Sequence, residues 1–168
     1  MITPEWCRLM AAYNAEMNRR VYSAAATLSD AQRREDRGAF FGSIHGSLSH
    51  LLWGDAIWMA HFAGWTAPQG GIKASVALHP EWHAMRAARV ELDARIAAWM
   101  AALDADWLSG TLGWFSGAMQ RDVSRPRWVL VTHFFNHQTH HRGQAHALLT
   151  GFGAATGDTD LPFILPFD

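Results

Sequence analysis

Apolar residues recur at three- and four-residue steps over most of the chain, the spacing of amphipathic helices. The first run extends from Pro4 to Leu28, with Trp6, Leu9, Met10, Tyr13, Met17, Val21 and Ala24 at helical steps. Thr3 is placed to cap it, and Pro4 takes the first helical position, where a missing N–H costs nothing. The polar stretch LSDAQRRED breaks the pattern, with Ser29 set to cap a short helical turn. A second helix is predicted from about Phe41 to about Trp65. TAPQGGIKASVALHP follows, and its Pro68, Gly70, Gly71 and Pro80 read as a long crossover loop. A third helix is predicted from Glu81 to Asp106, carrying Met85, Ala88, Leu92, Ile96, Trp99 and Leu103. In WLSGTLGWFSGAMQRDVSRP the period changes, and its glycines with alternating Leu112 and Trp114 predict a small β-hairpin turning at Ser116 and Gly117. Pro126 opens a fourth helix that reaches about Gly151, a glycine suited to a C-cap. The apolar, proline-broken tail GFGAATGDTDLPFILPFD is expected to pack down as an extended strap. The prediction is an all-α, single-domain four-helix bundle over residues 1–168, with a long crossover between helices 2 and 3 and a small β-hairpin before helix 4.

Composition narrows the partners. A chain of 168 residues, 49% of them hydrophobic, can bury a real core as one domain. A net charge of −1 offers no general attraction to nucleic acid, so none is expected as a partner. No window approaches the roughly 18 apolar residues of a membrane helix, and the first residues lack a signal-peptide pattern. The one cysteine, Cys7, cannot form an intrachain disulfide. The expectation is a cytoplasmic protein with no membrane contact. Nine tryptophans and ten histidines are the unusual counts. The tryptophans are read as core rather than as a platform for substrate. Together with the FILPF tail they exceed what one small bundle comfortably hides, which favours a homodimer.

Position decides what the histidines mean. In VTHFFNHQTHHRGQAH, His137 and His141 lie about 40° apart around the helix and one turn along it, so both can meet one metal ion. His133, Gln144 and Leu148 fall near that stripe, whereas His140 and His146 point away. Such a pair alone is a weak signal, since bundle helices also carry buried or paired histidines. A third ligand has to come from another helix. In SIHGSLSHLLWGDAIWMAHF, His50 shares a stripe with Gly46, Ser47, Gly54 and Ile57, small residues that leave room for a ligand. The same glycines also suit close helix packing alone. His61 shares the stripe three turns away, and His45, His79 and His83 read as surface or loop residues. There is no Glu-x-x-His for a di-iron bundle, no zincin motif, no Gly-x-Ser-x-Gly and no phosphate-binding glycine loop.

HFFNHQTHHRGQAHALLTGFG followed by TDLP resembles the C-terminal signature of the DinB-like (damage-inducible) family. SLSHLLWGDAIWMAHF is similar to that family's second helix, and MAAYNAEMNRRVY to its first. The resemblance spans nearly the whole chain. It implies a four-helix bundle, usually dimeric, that binds one divalent metal through three histidines; carried over by position these are His50, His137 and His141. It also joins the chain to a superfamily holding bacterial thiol S-transferases and a mycothiol-dependent isomerase. Zinc or nickel is the first expectation for the ion and iron or manganese the next. A three-histidine site with open coordination positions can acidify a thiol or a water. One class of function is therefore a metal-dependent enzyme acting on a small molecule, a low-molecular-weight thiol in transfer or a substrate of hydrolysis. The other is a non-catalytic metal-binding stress protein, in which His133 would close the site. Gln144, His133 and Asn14 are the candidate catalytic residues, with Asn18 one turn from Asn14. Arg142 and Asp55 lie off the ligand stripes and are read as structural.

Overall fold

A computed structural model describes residues 1–117 and 119–166. Four long helices form a bundle: α1 (Pro4–Ala26), α3 (Ile44–Ala63), α4 (Trp82–Ala101) and α6 (Arg127–Gly151). Three short helices, α2 (Asp30–Arg34), α5 (Ala105–Ser109) and α7 (Leu161–Ile164), decorate it, with strands β1 (Thr111–Ser116) and β2 (Arg121–Pro126). Among the described residues no helix is long and apolar enough to cross a membrane.

Local chemistry sets the boundaries. Thr3 Oγ1 accepts from the Trp6 N–H at 3.2 Å, and Pro4 opens α1. Ser29 and Gln32 form a reciprocal capping box around α2. Ser43 caps α3, which stops at Gly64 with a φ of 67°, a left-handed conformation that favours glycine. The third long helix ends at Ala101 rather than Asp106. Asp104 accepts from the Trp107 N–H at 2.6 Å and starts α5 afresh. In the hairpin Trp114 pairs with Val123 and Ser116 with Arg121, so the turn begins at Gly117, and Ala118 lies outside the described residues. The tail departs from the expected strap by forming α7, and the Tyr13 hydroxyl donates to the Thr159 carbonyl at 2.6 Å just before it.

α1 packs on α4 and α6, and α3 packs on the same two, which sets α1 diagonal to α3 and α4 diagonal to α6. The core between them holds Leu48, Met59, Met85, Met100, Phe134, Phe135 and Leu149, each essentially fully buried, with Cys7. Burial pushes the Cys7 thiol up to about 11, so it is a protonated apolar filler. The long connection between α3 and α4 folds back on α3 through a turn of 3-10 helix, Ser75–Ala77.

Candidate metal centre

The seam between α3 and α6 carries the histidines. On α6, His137 and His141 follow one another by a turn, with ring centroids 4.5 Å apart. His50 of α3 lies 5.3 Å from the ring of His137 and 4.8 Å from that of His141. Each of the three offers a nitrogen, and these atoms all lie within 4.8 Å of one another. His50 Nε2 and His137 Nε2 are 3.3 Å apart. Two imidazole nitrogens on one tetrahedral zinc are separated by about 3.3–3.4 Å, so the spacing fits a shared ion.

The outward ring nitrogens fix the tautomers. Ser75 donates its hydroxyl proton to the Ile72 carbonyl at 2.6 Å, so toward His50 its oxygen accepts. His50 Nδ1, 2.8 Å away, is therefore the donor, and His50 Nε2 keeps its lone pair for the site. His141 Nδ1 donates to Gln144 Oε1 at 2.9 Å, which frees His141 Nε2 in the same way. The Gln144 amide nitrogen in turn faces His140 Nε2 at 3.3 Å. Such outer contacts are how imidazole ligands are usually oriented. His137 Nδ1 is buried with no hydrogen-bond partner among the described residues.

Burial also keeps the three rings uncharged. It holds His50 down to about 4 and His137 down to about 3, each further opposed by the neighbouring histidines, His141 foremost. His141 is lowered by burial as well, partly offset by its bond to Gln144. At neutral pH all three present lone pairs, the form a metal needs.

Glycine makes the space. A Cβ at Gly54 would lie 2.7 Å from His137 Cε1, so only glycine on α3 lets that ring enter the seam. Gly46, on the same stripe, lies instead against the Phe41 carbonyl. Phe41, from the loop before α3, stacks on His50 with centroids 3.8 Å apart and lies 5.1 Å from His141, covering one side of the cluster.

The remaining expected residues are placed as follows. His133 is exposed and lies outside the cluster, its ring 5.9 Å from His137 and 5.2 Å from Trp58. Asn14 is buried in α1 with neither amide atom partnered among the described residues. Asn18 donates to Asp93 at 3.0 Å, away from the histidines. Asp55 accepts from Arg89 at 2.6 Å, a structural ion pair, and Arg142 is buried near the Tyr13 ring. His61 packs against Trp58 and Trp114, and His83 is exposed. His45 corrects its surface assignment: it is buried on α3, and its Nε2 lies 2.8 Å from the His79 carbonyl of the long connection. Ser75 and Phe41 are the site residues that sequence reasoning missed. Phe41 was expected to open the second helix, but Ser43 caps that helix and leaves Phe41 in the preceding loop, and a serine in a crossover connection carries no periodic signal.

Fold and site together define a four-helix bundle whose neighbouring helices α3 and α6 converge three neutral histidines suited to a metal ion. The DinB family profile matches residues 1–166, and the chain belongs to the DinB family. Among solved structures it is similar to YfiT from Bacillus subtilis, described as a probable metal-dependent hydrolase with an unusual four-helix bundle topology. The TM-score is 0.65 at 15% identity over 92% of each chain, a likeness of fold. No curated protein matches the sequence.

Proposed function

We propose that the protein is a divalent-metal-dependent enzyme acting on a small molecule, with His50, His137 and His141 holding the ion. The observation that carries this reading is the convergence of three unprotonated ring nitrogens, two of them aligned by Ser75 and Gln144. Zinc and nickel both suit an all-imidazole set. When bound, such an ion supplies Lewis acidity that lowers the pKa of a thiol or water. His133 stands outside the cluster, so the described residues provide three ligands and leave coordination open, which favours catalysis over a closed structural ion.

The chain's own residues bear on the reaction type. No carboxylate joins the cluster among the described residues, and Asp55, the nearest in sequence to His50, is committed to Arg89. A thiol needs only a modest decrease from about 8.5 to react at neutral pH, so thiol transfer asks less of a site without a carboxylate base than amide hydrolysis does. Hydrolysis is the second reading, favoured by the similarity in fold to a protein described as a probable metal-dependent hydrolase.

Elemental analysis of purified protein is expected to give one divalent ion per chain, and His137→Ala to lose it with helix content intact. The loaded protein is then assayed with low-molecular-weight thiols and a model electrophile, beside ester and amide substrates. Thiol-dependent turnover lost in His50→Ala supports transfer, and turnover of the esters or amides instead supports hydrolysis. Full metal retention in His137→Ala, or no turnover in either assay, overturns the proposal.

A further inference from the structure

A groove of about 720 Å³ opens between α3, the long α3–α4 connection and the β-hairpin, a volume typical of small-molecule sites. Its walls are aromatic. Trp58 meets Trp114 edge-on at 5.8 Å, His61 lies 5.7 Å from Trp58 and 6.0 Å from Trp114, and Phe115 at the hairpin tip is 59% exposed. These rings were expected in the core, yet Trp53, Trp58 and Trp114 are only half-buried and face this space. The inner wall of the groove adjoins the histidines. Trp53, on its wall, lies 5.8 Å from the His50 ring, and Trp58 reaches His137 through His133. Polar side chains are few among these apolar walls. The rim carries Lys73, the chain's single lysine.

We propose that this groove binds the apolar or aromatic body of a small organic anion, with the negative charge at Lys73 and the far end presented to His50 and His137. Flat rings suit walls of edge-on tryptophans, and an ammonium at the rim of an otherwise apolar groove selects an anion over a neutral or cationic ligand. The inference deepens the enzymatic reading above by naming the substrate class of that site.

Anilinonaphthalene sulfonate, an aromatic anion, is the probe. It is expected to bind at one site per chain and to be excited through the tryptophans. Trp114→Ala and the exposed Phe115→Ala are each expected to weaken binding about tenfold. Lys73→Gln is expected to weaken it about fivefold and to flatten its salt dependence, with Lys73→Arg restoring both. Bound probe should also protect Lys73 from an amine-reactive reagent, read by mass spectrometry at the one lysine. Phe163→Ala, on distant α7, should bind as the parent does. Wild-type affinity in both Phe115→Ala and Lys73→Gln overturns the proposal. So does light scattering in which these two variants dissociate a dimer without changing probe binding, which would make the groove a contact with a second copy. Metal content is measured on the same samples. Loss of metal in His137→Ala with probe binding kept supports both readings, and retention of metal there overturns the metal assignment while leaving the groove to its own variants.

Discussion

Ser75 lies twenty-five positions beyond His50 yet decides which of its nitrogens faces the cluster. Replacing Ser75 by Ala strands a buried Nδ1–H and frees the ring to change tautomer or turn. The expected result is metal affinity about 10–100-fold weaker with the fold retained, measured by competition with a chelator. Nitrogen chemical shifts of His50 should show the mixed tautomers. Away from the site, Glu16 accepts from both Nε and Nη2 of Arg19 and from Arg20 Nε, each at 2.7 Å. The Arg19 hydrogen bond, with Arg20 behind it, holds the Glu16 carboxyl down to about 2 from an ordinary 4.5. Because the folded value is the depressed one, the stabilisation is present above the unfolded value and is lost as pH falls through the folded one. The group is partly exposed, so Glu16→Gln should cost only about 1 kcal/mol at neutral pH. Urea unfolding should show that difference shrinking as pH falls from about 4.5 to about 2.

Between elements, one buried polar network joins three of the four long helices. Arg89 of α4 pairs with Asp55 of α3 at 2.6 Å and with Asp93 at 2.7 Å, and Asn18 of α1 donates to Asp93. Arg89→Leu would leave Asp55 buried without its counter-charge and should cost about 3–5 kcal/mol in thermal or urea unfolding. Asp55→Leu added to Arg89→Leu should recover part of that loss, and a double variant no more stable than the single would refute the ion-pair account. The sequence carried the helices and the α6 pair because both are periodic. His137 and His141 share a face by spacing alone, and Gly54 beside His50 marked the room that the His137 ring takes. What joins the seam from elsewhere was not legible. Ser75 and Phe41 reach His50 through loop geometry, which no period encodes. The end of α4 at Ala101 was hidden by good helix formers, although Asp104, three residues before the Trp107 N–H it caps, was a readable signal for a restart.

For the whole molecule, exposed apolar side chains bear on assembly. Phe163 on α7 is 84% exposed and Val90 on α4 71%. A homodimer is expected, with light scattering near twice 18.7 kDa and Phe163→Asp returning the single-chain mass. A single-chain mass for the unaltered protein at micromolar concentration would refute it. The diagonal placement of α1 against α3 and of α4 against α6 has a consequence in time. The two helices that share the histidines are separated in the chain by α4, α5 and the hairpin, and His50 meets His137 across 87 positions. A chain emerging from the ribosome therefore carries His50 long before its partners exist. The cluster can assemble only after the last long helix has cleared the exit tunnel and the earlier helices have left room for it. An ion captured there would mark a chain whose last long helix has emerged, and translation stalled just before His137 would leave three of the four long helices complete, with His50 in place and no partner ring for the metal.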